Sequence, residues 1–317
     1  MGHYRSNLRD IEFNLFEVSR VQDYLGSGVW EGVDRETAEQ ILVELERLAR
    51  EDYAASYEDQ DRIALTLEDG EVTLPESVKA SARAFIDGGW DKLGLPVEMG
   101  GTPVPPSLQW AGSEMLLAAN TTVQFYAGAA MFARVLFEEG TDDQKDLAKL
   151  WVSKSWGGTM VLTEPDAGSD VGAGTTKAID QGDGTWHLEG VKRFITGGEH
   201  DFSENIIHLV LARPEGAVPG TKGLSLFVVP KYLINEDGSL GERNGVVATN
   251  LEKKMGLRGS TTCELTFGID GPAVGYLVGD KHEGIRQMFR VIEGARMMIG
   301  IKAMGTLSTG YLNALEY

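Results

Sequence analysis

The spacing of apolar residues along this chain changes period twice, and that change constrains the fold more than any other feature. Over residues 1–157 the period is helical. Ala38, Ile41, Leu42, Leu45, Leu48 and Ala49 recur at three- and four-residue steps, which places them on one helix face. Pro75 is tolerated in a first helical turn and Glu76 suits the N-terminal dipole, so another helix is expected from Pro75 to about Trp90. The Gly- and Pro-rich stretch 94–106 reads as a loop. Helices are expected over 107–119 and 123–139, the second ending at Gly140. Thr141 then has the form of an N-cap, with Asp142 and Asp143 in the first turn of the next helix.

From Gly158 to about Val278 the chain is rich in β-branched residues and broken by glycines. Strands are expected over 159–163, 185–188, 192–196, 206–212, 224–230, 246–251 and 262–269, with Asp183-Gly184 as a hairpin signal. Short strands in succession without helices between them point to an antiparallel barrel or sandwich. Helical spacing returns in Ile285, Met288, Phe289, Ile292, Ala295 and Ile299, although Gly300, Gly305 and Gly310 weaken the pattern beyond them. The fold class read from this is α+β. An N-terminal helical domain spans 1–157, a middle antiparallel β-barrel or sandwich domain spans 158–280, and the first helix of a C-terminal helical bundle spans 281–317.

Charge and composition remove several functions. The 29 basic and 48 acidic side chains leave a formal charge of −19, which repels phosphate backbones and anionic lipid, so neither nucleic acid nor a membrane surface is expected as a partner. An anionic substrate would need locally placed Arg, Lys or backbone N–H groups. There is no apolar run of 18 residues, so no membrane span is expected, and the first ten residues lack the apolar stretch of a secretory leader. Cys263, the single cysteine, fits a reducing cytoplasmic location and reads as a small buried hydrophobe. No G-x-G-x-x-G follows a strand, and there is no phosphate loop, H-E-x-x-H, C-x-x-C or G-x-S-x-G. His3, His187, His200, His208 and His282 show no metal-ligand spacing, and no metal is expected. His187 and His208 lie in expected strands and read as structural.

The stretch Met160-Val-Leu-Thr-Glu-Pro-Asp-Ala-Gly-Ser-Asp170 is a strand running into a turn rich in hydroxyls and small residues. Such a turn can aim backbone N–H groups and hydroxyls at an oxygen-rich ligand. Glu164 and Asp170 bracket it and could bond the turn's own backbone. On this chemistry alone it reads as an ordinary structured turn. Its residue order, however, resembles the first signature of the acyl-CoA dehydrogenase family, and five further segments agree in order. Leu93-Gly-Leu-Pro-Val-Glu-Met-Gly-Gly101 and Gly140-Thr-Asp-Asp-Gln-Lys145 resemble family segments upstream of the signature. Leu188-Glu-Gly-Val-Lys-Arg-Phe-Ile-Thr-Gly-Gly198 resembles its flavin-contacting strand, and Gly223-Leu-Ser-Leu-Phe-Val-Val-Pro230 and Lys254-Met-Gly-Leu-Arg-Gly-Ser-Thr-Thr-Cys-Glu-Leu265 follow. The resemblance covers roughly residue 75 onward. The segment before it is similar to that of the longer family members.

The resemblance implies FAD as cofactor and α,β-dehydrogenation of an acyl-CoA thioester, the first step of fatty-acid β-oxidation. Met160, Thr163, Gly168 and Ser169 would contact the flavin through backbone groups and hydroxyls. Phe194, Ile195 and Thr196 would lie against its ring, Thr196 donating toward N5. The family often has Trp where Phe194 stands, so the indole N–H is lost here. Ser169 would also touch the thioester. Some members place a Glu base directly before an Arg on the first bundle helix. In this chain Ala295 precedes Arg296, and alanine cannot take a proton. Glu293 and Arg296 are expected to contact CoA, with a surface ion pair between Glu293 and Arg290 or Arg296 weighing about equally. No catalytic residue is expected within the chain, and the base is expected beyond Tyr317, on a missing C-terminal part or a second polypeptide. A homo-oligomer and an electron-transfer flavoprotein as acceptor are further implied partners. The alternatives are an acyl-CoA oxidase, and a non-catalytic flavoprotein or partner subunit of a heteromer. Thr121, Thr122, Val123, Gln124 and Phe125 either line an acyl pocket or, the preferred reading, pack the core.

Overall fold

The computed structural model describes residues 2–317. In chain order the helices are α1 (Leu8–Glu12), α2 (Arg35–Leu48), α3 (Tyr57–Arg62), α4 (Glu76–Asp87), α5 (Pro106–Ala127), α6 (Ala130–Glu139), α7 (Asp142–Ser153) and α8 (Gly284–Glu316). The strands are β1 (Leu67–Glu68), β2 (Glu71–Val72), β3 (Gly157–Val161), β4 (Lys177–Asp180), β5 (Trp186–Thr196), β6 (Ile206–Pro214), β7 (Ser225–Pro230), β8 (Tyr232–Ile234), β9 (Leu240–Arg243), β10 (Val246–Leu251), β11 (Thr262–Phe267) and β12 (Ala273–Leu277). Two compact units result. One comprises 1–63, 75–128 and 294–317, and the other comprises 64–74 and 129–293.

The first unit is helical. The apolar stripe expected on α2 is buried through Ala38, Ile41, Leu42, Leu45 and Leu48. It packs on α5 so closely that a Cβ added at Gly112 would lie 2.4 Å from Leu45 Cδ1. Pro75 caps α4, as its φ preference favours. The expected break after residue 119 is present as a kink. Asn120 is non-helical, at φ −161°, yet the helix resumes and runs to Ala127. The Asn120 side chain replaces the lost ladder bonds, donating to Ser56 Oγ at 3.1 Å and accepting from Thr122 N at 3.1 Å. The true interruption lies at Gly128, and a separate helix spans Ala130–Glu139. Thr121, Thr122 and Val123 are buried, and Gln124 accepts from Tyr53 Oη at 3.0 Å. Gly300, Gly305 and Gly310 do not interrupt α8. At Gly305 the missing Cβ has a purpose, since one there would lie 2.9 Å from both Ala118 Cβ and Glu114 O.

In the second unit the Thr141 cap forms a full capping box with Gln144. The main sheet runs β10-β11-β5-β12-β7-β6-β3, and β4 pairs with both β5 and β6. That double pairing closes β5, β12, β7, β6 and β4 into a ring, the barrel of the α+β fold. Pairing is antiparallel except at β3 with β6 and β4 with β6. The core includes Val161, Leu188, Ile195, Val210, Phe227, Leu265 and Cys263. The two strands expected over 185–188 and 192–196 are one continuous strand, β5. Strands β4 and β12, which carry no strong alternation of their own, complete the ring. Cys263 is fully buried, and burial pushes its thiol up to about 12. Buried His208 bonds Thr159 Oγ1 at 2.7 Å, and burial pulls both His208 and His200 down to about 3.

Candidate functional site

The turn after β3 is fixed from beneath by a buried ion pair. Glu164, 5% exposed, and Lys192, 2% exposed, meet at 2.9 Å. Glu164 also accepts from Thr175 N at 2.6 Å, Thr175 Oγ1 at 3.0 Å and Thr176 N at 3.0 Å. Lys192 Nζ completes its three bonds on Leu162 O at 2.9 Å and Leu211 O at 2.7 Å. Burial alone pushes the Glu164 carboxyl up, but the Lys192 charge and the bonds from 175–176 outweigh it and hold the group at about 2. Burial pulls the Lys192 ammonium down, with Glu164 opposing. All three Lys192 bonds and both Glu164 oxygens are thus matched, the arrangement of a buried ion pair. Across the turn itself Glu164 N donates to Ala167 O and Ala167 N to Glu164 O, at 3.0 and 3.1 Å. Glu164 therefore anchors the turn to the segment that follows it, and Asp170 is exposed.

Beside this turn β5 carries a bulge. Ile195 pairs with Cys263 and Lys192 with Leu265, so Arg193 and Phe194 together oppose Glu264. Phe194 adopts φ +61°, a conformation that side chains rarely take. The bulge shifts the alternation of the strand. Lys192 and Ile195 both point into the barrel, while Phe194, 56% exposed, and Thr196 face outward. Arg193 N donates to Thr163 O at 2.8 Å, which ties the start of the turn to the bulge. The Arg193 guanidinium lies 5.0 Å from the centre of the Phe194 ring and pairs with Glu252 at 2.8 Å.

The residues expected to meet a flavin thus divide. Phe194, Thr196, Gly168 and Ser169 are exposed, and Met160 and Thr163 are half-buried. Space around Gly168 is open, since an added Cβ would meet nothing within 4 Å. Ile195, 2% exposed, belongs to the barrel core, so only its backbone is presented outward. Because β3 ends the sheet order, part of its backbone around Met160 has no ladder partner. An exposed ring, exposed hydroxyls and the backbone of an edge strand are groups that suit a planar heteroaromatic ligand with a polar edge and phosphates. Glu293 and Arg296 are exposed on α8, and Arg290 turns to Glu139 at 3.6 Å. Among the described residues no group of three His, Cys, Asp or Glu side chains could hold a metal ion, and no helix is long and apolar enough to cross a membrane. Sequence reasoning passed over Lys192 and the Arg193 contacts. The available signal was a lysine among inward-facing positions of a strand, which must find a partner when buried.

Residues 159–268 match the family described as acyl-CoA dehydrogenase, middle domain. The chain is 57% identical over its whole length to the broad-specificity linear acyl-CoA dehydrogenase FadE5 of Mycobacterium tuberculosis, covering 53% of that protein. It is 38% identical to 3-methylmercaptopropionyl-CoA dehydrogenase of Ruegeria pomeroyi, over 99% of this chain and again 53% of the relative. The chain therefore spans about half the length of these relatives. A crystal structure of a probable acyl CoA dehydrogenase from Mycobacterium abscessus superposes with a TM-score of 0.70 at 24% identity, covering 90% of this chain and 69% of the other. That likeness shows the fold.

Proposed function

The chain belongs to the acyl-CoA dehydrogenase family, and from that premise we propose that it forms the flavin-facing part of an enzyme that dehydrogenates acyl-CoA thioesters at the α,β bond. The observation that carries this reading is the outward set Ser169, Phe194 and Thr196, held beside a turn anchored by Glu164 and Lys192. Bound FAD would supply the hydride acceptor. Met160 and Thr163 would hold its polar edge through backbone groups, Phe194 would cover an apolar face, and Gly168 and Ser169 would receive its more polar part. The Thr196 hydroxyl would donate a hydrogen bond where charge develops during reduction. Ser169 would also orient the thioester, with Glu293 and Arg296 binding the CoA moiety. Ala295 offers no base, so the α-proton is assigned to a carboxylate outside residues 1–317. The 57% relative is named for linear acyl-CoA, and a linear chain is the substrate class proposed here. The whole protein is taken to be a homo-oligomer that passes electrons to an electron-transfer flavoprotein.

The test is product identity. The whole protein, given linear acyl-CoA and an artificial electron acceptor, should yield the 2-enoyl-CoA, two hydrogens lighter by mass spectrometry. Bound FAD with no such product from any linear acyl-CoA would favour the non-catalytic flavoprotein instead.

A further inference from the structure

Arg213, at the end of β6, spends its guanidinium on backbone. Nη2 donates to Gly172 O at 2.9 Å, and Nη1 donates to Gly220 O at 3.0 Å and to Val218 O. Gly172 lies in the turn three residues after Ser169, and Val218 and Gly220 lie in the loop between β6 and β7. One planar fork therefore fastens two loops that are remote in sequence. The surroundings leave it no slack. A Cβ at Gly172 would lie 3.1 Å from Thr221 N and 3.2 Å from Gly220 Cα. One at Gly223 would lie 1.8 Å from Val218 O and 2.5 Å from Arg213 Nη1. At the other end of the turn Glu164 holds 175 and 176, and a Cβ at Gly174 would lie 3.0 Å from Glu164 Oε1. Residues 165–174 are thus clamped on both sides, while Gly168 and Ser169 between the clamps face open space.

We propose that Arg213 is a positioning residue, which fixes the Ser169 turn by bridging Gly172 to the Val218–Gly220 carbonyls. This rests on the assignment of that turn to the flavin and thioester site. A lysine ammonium is a point donor on a flexible stem and cannot span both loops as the guanidinium fork does, so charge alone should not substitute.

The experiment compares the FAD-bound whole protein with its Arg213→Ala and Arg213→Lys variants. Hydrogen exchange followed by mass spectrometry should show faster exchange over 165–175 and 215–224 in both variants, with the rest of the barrel as in wild type. The dissociation constant for FAD and the KM for acyl-CoA should each rise about tenfold, with kcat at saturation within about twofold of wild type. Unchanged exchange over 165–175 would overturn the clamp. Faster exchange with unaltered FAD affinity and KM would overturn its positioning role, provided that Ser169→Ala does shift them. If Ser169→Ala also leaves both constants unmoved, the assignment of the turn to the site has failed. Should Arg213→Ala not fold, Arg213→Lys carries the same readouts.

Discussion

Lys192→Met removes the charge beneath the signature turn while keeping an unbranched apolar stem in the same space. The Lys192 ammonium makes three bonds, to Glu164, Leu162 O and Leu211 O, and almost none of its surface is exposed. In the variant Glu164 keeps its bonds from Thr175 and Thr176 but remains a buried carboxylate without a counter-charge, and two carbonyls lose a donor. Breaking one side of a buried pair costs about 3–5 kcal/mol, and that is the destabilisation expected here. The assay is denaturant unfolding of the whole protein, followed by a probe in the β unit, where the midpoint should fall with the slope unchanged. Adding Glu164→Gln to Lys192→Met should recover part of the loss, because the unpaired charge disappears with it. A loss below about 1 kcal/mol for Lys192→Met would refute the reasoning, since a pair that buried cannot be both ionised and dispensable.

Acid should act on the same unit in two windows. His200 and His208 sit at about 3 when folded against an ordinary 6.5, so their contribution is complete above 6.5 and is lost as pH falls toward 3. Glu164, at about 2 against 4.5, adds a further loss only below 4.5, and a pH series of unfolding midpoints for wild type and His208→Gln separates the two. Thr196→Val in the whole protein should slow flavin reduction in a single turnover more than it weakens FAD binding, because it keeps shape and removes a donor that bound flavin would cover, worth about 1–3 kcal/mol once buried. Glu293→Gln should raise the KM for acyl-CoA and leave the reductive step largely intact, as stopped-flow reduction at saturating substrate would report. Abolished reduction would instead make Glu293 the base.

Much of the fold was legible because its determinants are local. The stripe on α2, the N-cap at Thr141 and the bounds of β10 each rest on residues within a few positions of one another. What escaped depends on remote partners. Strand β4 is four residues long and exists because β5 and β6 flank it. Asn120 kinks α5 without ending it because Ser56 and Thr122 meet its side chain. The outward set was named from residue order, but the bulge that turns Phe194 out and Ile195 in follows from the register with β11. No spacing rule within β5 contains that register. Lys192 was in view as part of a motif, and only the folded chain shows that it anchors Glu164.

The most direct test of the central claim is an absorbance spectrum of the whole protein, taken without oxygen before and after a linear acyl-CoA is added. The account predicts the bands of bound oxidised flavin beforehand and their bleaching on addition, with slower bleaching in Thr196→Val. Protein that carries no flavin, or flavin whose bands survive saturating acyl-CoA, would contradict it.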